Sequence, residues 1–386
     1  MDIHKRCILL VDDEQNITNA LTRELEDWAD ERSLEIFTAI SAAKGLEILE
    51  KRGGDTVIVV SDLKMPEMKG SDFLLEVKRL YPDIVSILLT GYSETEEIIK
   101  SVQAGIFSFM LKPWDSNYLI GEVQKAWDFG EARRHNASYL HILEEEMKWA
   151  GEFQKSILKP NLPGSAGVEF RVSYRPVPGL YCGGDYYDVI PVGQDRYLLL
   201  IGDVEGHGVK AAFITGILKA VIYSEYVQAF IGKVLSTAAF LSWLNQRLNF
   251  EFRKASSLMV TFFAAILDLK AGTLRYSNAG HNHPYILREG KAIEVPISGS
   301  AIGFANSISF AEQTVNLKPG DLVVIFTDGL VEIDCAKGRD PLKPGPILEK
   351  VEQGAEHHRR LLEAVLAESA SSDFTDDVTI LTAKVL

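Results

Sequence analysis

The sequence predicts a multidomain chain: a doubly wound α/β domain on a five-stranded parallel sheet, a long helical connector, and an α+β domain. Three observations predict it. Short aliphatic runs alternate with helical periodicity as far as about Trp114. Between Asn117 and Lys159 there is almost no strand pattern and no proline. Beyond that, short strands and turn residues interleave with longer helical stretches without strict alternation. At 386 residues the chain has room for two or three domains.

The first five runs are Cys7–Val11, Leu34–Ala39, Val57–Val60, Val85–Leu89 and Phe107–Leu111. Being apolar throughout rather than alternating, they read as strands buried on both faces, hence a parallel sheet. Ile17–Trp28, Ala42–Glu50, Ser71–Leu80 and Glu94–Ala104 carry apolar residues at three- and four-residue spacing and read as the covering helices. Such a sheet places its ligand crevice at the carboxyl ends of its strands.

In the connector, Leu140, Leu143, Met147, Ala150 and Ile157 fall on a heptad-like stripe, with Gln154 at its one polar position. Leu119, Val123 and Ala126 continue the stripe upstream, across an interruption at Gly130 and Arg133. A helix packed on a neighbouring domain and a dimerising coiled coil both fit. Gly130–Asn136 marks a point of flexion, and Pro160 and Pro163-Gly164 end the helix. The last domain's strands are expected at Glu169–Tyr174, Tyr197–Val204, Thr261–Leu267, Thr273–Ser277, Tyr285–Arg288 and Leu322–Phe326. Its helices are expected at Lys210–Val227, Val234–Phe252 and Ile347–Ser369.

Composition narrows the function. The 54 acidic residues outnumber the 40 basic ones, for a net charge of −14 that repels a nucleic-acid backbone. Cys7, Cys182 and Cys335 are too few and too scattered for a disulfide framework or a zinc site. The start holds one five-residue apolar run, too short for a signal-peptide core, and Leu258–Leu267 is half a membrane span. A soluble cytoplasmic protein that binds neither nucleic acid nor membrane is expected.

Chemistry-bearing residues in the first domain each follow a strand: Asp12 and Asp13 the first, Asp62 the third, Thr90 the fourth, Lys112 the fifth. Three converging carboxylates form an oxygen site for a hard cation such as Mg²⁺, and would repel one another without it or Lys112. A carboxylate so placed can accept a phosphoryl group. This arrangement resembles the receiver domain of two-component response regulators, over residues 1–125. The resemblance implies a flavodoxin-like fold, Asp12, Asp13 and Asp62 as the Mg²⁺ site, and Asp62 as phosphoacceptor. It makes Thr90, Phe109 and Lys112 the switch residues and an upstream histidine kinase the donor.

The rest of the chain carries four further acidic motifs at strand ends or turns: Gly183-Gly184-Asp185-Tyr186-Tyr187-Asp188, Gly202-Asp203-Val204-Glu205-Gly206-His207-Gly208, Phe326-Thr327-Asp328-Gly329 and Asp376-Asp377-Val378-Thr379. Glycines let the backbone turn and bring a carbonyl to a ligand. Carboxylates without cysteine point to Mg²⁺ or Mn²⁺, and two such ions can acidify a water and offset the charge of a phosphate ester. In this order the motifs resemble the protein phosphatase 2C superfamily, in its bacterial stage II sporulation/stress-response branch, over 165–386. The resemblance implies an α-β-β-α sandwich and two Mn²⁺ or Mg²⁺ ions. Asp203 would bridge them, Asp185 and the Val204 carbonyl would serve one, and Asp328 and Asp376 the other, with Asp377 the alternative to Asp376. Ser277-Asn278-Ala279-Gly280-His281-Asn282 also matches a family turn and reads as a structural corner, and His207 as a residue behind the ligands. Asp321 lies in a further turn of the pattern, Pro319-Gly320-Asp321. Between Glu332 and Ile347 the family's phenylalanine-glycine pattern is missing, which bears on the substrate loop.

Together the two resemblances imply a response regulator whose output is a metal-dependent serine/threonine phosphatase. The 117–160 connector would serve as linker and homodimer contact, and a phosphorylated anti-anti-sigma-type protein as substrate. The competing reading is a catalytically silent adaptor that binds a protein partner. Its mark would be loss of ligand carboxylates, and Asp185, Asp203, Asp328 and Asp376 are all present.

Overall fold

The computed structural model describes residues 5–91, 105–228, 235–252, 258–334, 338–351, 353–354 and 356–386. The expected helix Glu94–Ala104 and Cys335 lie outside them. The chain divides into two compact units, Met1–Leu143 and Glu144–Leu386.

In the first unit, β1 (Cys7–Val11), β2 (Glu35–Ala39), β3 (Thr56–Asp62), β4 (Val85–Thr90) and β5 (Ser108–Leu111) form one parallel sheet in the order β2-β1-β3-β4-β5. The apolar runs of β1, β3 and β4 are unbroken because every residue of these strands is buried. Ile8 and Leu10 of β1 enter one core with Leu21, Leu25 and Ile87, while Leu9 and Val11 enter the other with Leu49, Phe73 and Val77. Helices α1 (Gln15–Asp30), α2 (Ala42–Arg52) and α3 (Gly70–Leu80) supply those faces.

Helix α4 (Ser116–Leu158) runs 43 residues without a break, through the glycine at 130. A helical glycine costs about 1 kcal/mol relative to alanine. Burial of Leu119, Val123 and Ala126 in the receiver-side core outweighs that, so no interruption marks Gly130–Asn136. Its middle section is solvated, with Tyr139 and Leu140 each 66% exposed.

The second unit has two antiparallel sheets. One is β13-β10-β9-β8-β7, from β7 (Asp185–Gly193), β8 (Arg196–Val204), β9 (Val260–Asp268), β10 (Thr273–Ala279) and β13 (Gln313–Asn316). The other is β12-β11-β14-β15-β6, from β6 (Val168–Arg175), β11 (Tyr285–Arg288), β12 (Lys291–Glu294), β14 (Leu322–Phe326) and β15 (Val378–Val385). Strand periodicity distributes the core. Leu199 and Ile201 of β8 meet Val323 and Ile325 of β14 between the sheets. Leu198 and Leu200 face outward beneath α5 (Val209–Val221) and α6 (Thr237–Glu251), and Val324 and Phe326 beneath α7 (Pro344–Lys350) and α8 (His357–Glu368). The result is an α-β-β-α sandwich.

Several elements differ from expectation. Strands β7 and β15 begin at motifs read as turns, and β12 and β13 are four-residue edge strands too short to show a period. The helix expected over Lys210–Val227 changes to a π-helical turn at Ile222–Val227. The one expected over Ile347–Ser369 is two helices, parted around Gly354. Among the described residues no helix is long and apolar enough to cross a membrane.

Candidate functional site

The receiver-side pocket forms because β1, β3 and β5 are parallel and end together. Asp12 and Asp62 are buried, Asp13 is exposed, and carboxylate oxygens of all three lie within 4.8 Å of one another. Lys112, following β5, reaches Asp12 Oδ2 at 2.6 Å and also pairs with Asp62. The Lys64 and Glu14 backbone N–H groups donate to Asp62 Oδ2 (2.9 Å) and Asp12 Oδ1 (3.0 Å). Burial raises the Asp62 carboxyl above its ordinary range, more than the Lys112 bond lowers it. Burial alone would lower the Lys112 ammonium, but its bonds to Asp12 and Asp62 prevail and raise it. Thr90 is buried at the end of β4, whereas Phe109 is partly exposed on β5.

The second acidic centre straddles both sheets of the sandwich. Antiparallel register places Asp185 of β7 directly opposite Asp203 of β8. From the other sheet, Thr327 after β14 and Thr379 in β15 donate hydroxyl hydrogen bonds to Asp185 Oδ2, at 2.9 and 2.7 Å. Asp185 is nearly fully buried, yet its Oδ1 has no hydrogen-bond partner among the described residues. A buried carboxylate oxygen left bare is costly unless a cation takes it. At Gly184 a Cβ would come within 2.6 Å of the Val204 carbonyl oxygen, 2.9 Å of that of Gly206 and 3.2 Å of Asp203 Oδ1. Only glycine leaves that cluster of oxygens open. An all-oxygen donor set suits Mg²⁺ or Mn²⁺.

Electrostatics agree. Burial and then repulsion from Asp185, Asp328, Asp376 and Asp377 push Asp203 up to about 9. Burial, Glu332 and Asp376 push Asp328 up to about 6, and burial raises Asp185 as well. Among the described residues none of Asp185, Asp203, Asp328 and Asp376 forms an ion pair. This centre is more open than the first, since among the described residues only Asp12, Asp13 and Asp62 meet the 4.8 Å spacing.

The doublet separates by contacts. Asp377 is buried, and its two oxygens accept the N–H groups of Val177 (2.9 Å) and Gly184 (2.7 Å). Asp376 is exposed and, among the described residues, accepts only its neighbour's N–H. His207 is exposed. Asn278 and His281 exchange side-chain-to-backbone bonds of 2.7 Å, tying off the corner after β10. Asp321 pairs with Arg288 through contacts of 2.6 and 2.9 Å. Neither Thr327 nor Thr379 was singled out from sequence, although both stand inside the acidic motifs. Gln154, the polar position of the expected stripe, is buried beside Gly183.

Residues 193–386, half of the chain, match the profile of stage II sporulation protein E. The chain belongs to the SpoIIE family. Residues 8–124 match the response regulator receiver domain. This SpoIIE-family chain is thus a receiver joined to a protein phosphatase 2C-like domain. Over 200 residues it is 22% identical to the phosphoserine phosphatase RsbU of Bacillus subtilis, covering 51% of this chain and 56% of that one. Over 120 residues it is 35% identical to the hydrogenase transcriptional regulatory protein HoxA of Cupriavidus necator, covering 31% and 23%. Less than two thirds of either relative is spanned. The SiaA-PP2C domain of Pseudomonas aeruginosa superposes with a TM-score of 0.52 at 21% identity, over 65% of this chain and all of that one, a likeness of fold.

Proposed function

We propose that the protein is a two-component response regulator whose output is hydrolysis of a phosphoserine or phosphothreonine on a protein, dependent on divalent metal. The observation that carries this reading is the bare, buried Oδ1 of Asp185 facing Asp203, with no basic side chain paired to either among the described residues. Asp203 would be shared between two Mn²⁺ or Mg²⁺ ions, with Asp185 and the Val204 carbonyl on one side and Asp328 and Asp376 on the other. Asp377 leaves that set because both its oxygens already hold backbone N–H groups. When bound, the ions supply a water of lowered pKa and offset charge on the phosphate. Thr327 and Thr379 fix the Asp185 carboxylate by holding one oxygen, leaving the other to bind.

Control enters at Asp62. Its phosphorylation adds about −1.5 to −2 charges beside Lys112 and Thr90 and would use the Asp12, Asp13 and Asp62 site for Mg²⁺. Thr90 and Phe109 would respond, and α4 would carry the change. The exposed stripe at Tyr139, Leu140 and Leu143 fits pairing with the same helix of a second copy. A histidine kinase as donor, an anti-anti-sigma-type phosphoprotein as substrate and a cytoplasmic setting follow from the family resemblance.

The test is Mn²⁺-dependent hydrolysis of an aryl phosphate. Asp203→Ala is expected to lose about 100- to 1000-fold, the worth of several kcal/mol of metal-borne stabilisation. An unchanged rate would leave only the adaptor reading. Asp62→Ala should keep basal turnover and lose the response to acetyl phosphate.

A further inference from the structure

The strand that carries Asp185 starts from a loop that the end of α4 holds. Tyr181 in that loop has φ +61°, a left-handed conformation that a bulky side chain adopts only under constraint. Three contacts from α4 supply the constraint. Tyr181 donates its hydroxyl to Glu144 Oε1 at 3.0 Å. At Gly151 a Cβ would come within 2.4 Å of the Tyr181 carbonyl oxygen, so the helix backbone lies directly against the loop. One turn further on, Gln154, 4% exposed, holds the backbone of Gly183 at both its N–H and its C=O. Its Nε2 donates to Gly183 O (2.7 Å) and Thr215 Oγ1 (2.9 Å), and its Oε1 accepts from Gly183 N (3.2 Å).

Gly183 is two residues before Asp185, and the peptide between them is held from the opposite side by Asp377. We infer that Gln154 is a positioning residue: through the Gly183 peptide it sets where Asp185 stands, and so ties the affinity of the phosphatase centre for divalent metal to the seating of α4. The inference rests on the metal-centre reading above and names the contact by which α4 would govern it. One planar amide thus satisfies the N–H and the C=O of Gly183 together. Withdrawing it leaves both peptide groups buried and unpaired, and the strained loop free to relax.

The experiment uses the full chain with Mn²⁺ alone as probe. Gln154→Met keeps volume and removes all the hydrogen bonds, Thr215→Val removes one anchor, and Ser156→Ala, at an exposed position on the same helix, is the control. Loss of an outer-shell partner should raise the Mn²⁺ dissociation constant by titration calorimetry about tenfold in Gln154→Met, and less in Thr215→Val. The Mn²⁺ concentration for half-maximal turnover should rise in parallel, with turnover at saturating Mn²⁺ close to wild type. Amide hydrogen exchange at 181–185 should quicken without metal, which a general loss of stability would not confine to that loop. Mn²⁺ affinity equal to wild type in Gln154→Met, or unchanged exchange at 181–185, overturns the inference. Absence of Mn²⁺ uptake by the wild type overturns instead the reading on which it rests.

Discussion

The molecule has two acidic centres at strand ends, and they solve the same electrostatic problem differently. In the receiver unit, Lys112 arrives from a neighbouring strand and pairs with Asp12 and Asp62. In the phosphatase unit, Asp185, Asp203, Asp328 and Asp376 make no ion pair among the described residues, and mutual repulsion adds to burial in raising Asp203. A centre that carries its own cation can stand without metal and exchange ligands. One that lacks it stores repulsion that a bound proton or a bound cation relieves.

The largest effect expected of this contrast comes from erasing it. Lys112→Ala leaves two buried carboxylates unpaired and should destabilise the receiver unit by about 3 kcal/mol, the low end for such a loss because the lysine remains partly exposed. Mg²⁺ should then restore much of that stability. Denaturant unfolding followed by hydrogen exchange in β1 and β3 measures it, and a variant as stable as wild type without Mg²⁺ breaks the comparison.

Next in size is metal itself. At a hundredfold excess over its dissociation constant, Mn²⁺ should stabilise the phosphatase unit by about 2.7 kcal/mol. The receiver unit should gain less, because Lys112 already occupies its pocket. Slower exchange in β7 and β8 but not in β1 would show it. Equal protection of both units would mean that the lysine does not shield its site.

A third effect is on pH. A carboxyl whose folded pKa is raised favours the fold while protonated, and that contribution is lost as pH rises through the folded value. For Asp328, raised to about 6, metal-free phosphatase should gain about 1 kcal/mol between pH 7 and pH 5, and Asp203 adds in the same direction. Lys112, raised above its ordinary value, has the same sign but loses its contribution only at far higher pH, so it contributes fully across this range. Metal-free exchange in β8 that is faster at pH 5 than at pH 7, after correction for intrinsic rates, would contradict the assignment.

Most of both centres was legible because strand-end aspartates are local signals. Four of the five apolar runs of the first domain are followed by a candidate site residue, and a parallel or antiparallel sheet gathers strand ends without further instruction. The glycine-rich start of β7 concealed its strand character, since Gly183-Gly184 reads as a turn while Asp185 is already paired across to Asp203. The doublet Asp376-Asp377 could not be resolved from its letters. Only the backbone N–H groups of Val177 and Gly184 distinguish the two carboxylates. Gln154 shows the same limit on a helix: periodicity places it on a face, and says nothing of what that face meets.

By itself the sequence determined the two domain types, the long helix between them and which acidic side chains stand at strand ends. These depend on hydrophobic period and on side-chain chemistry, both properties of short stretches of chain. Tertiary structure alone decided which oxygens stay free, which aspartate is spent on backbone, and that the helix reaches the Gly183 peptide. Those outcomes depend on hydrogen-bond competition between segments as far apart as Gln154, Gly184 and Asp377. Such competition is settled only when the sheets close.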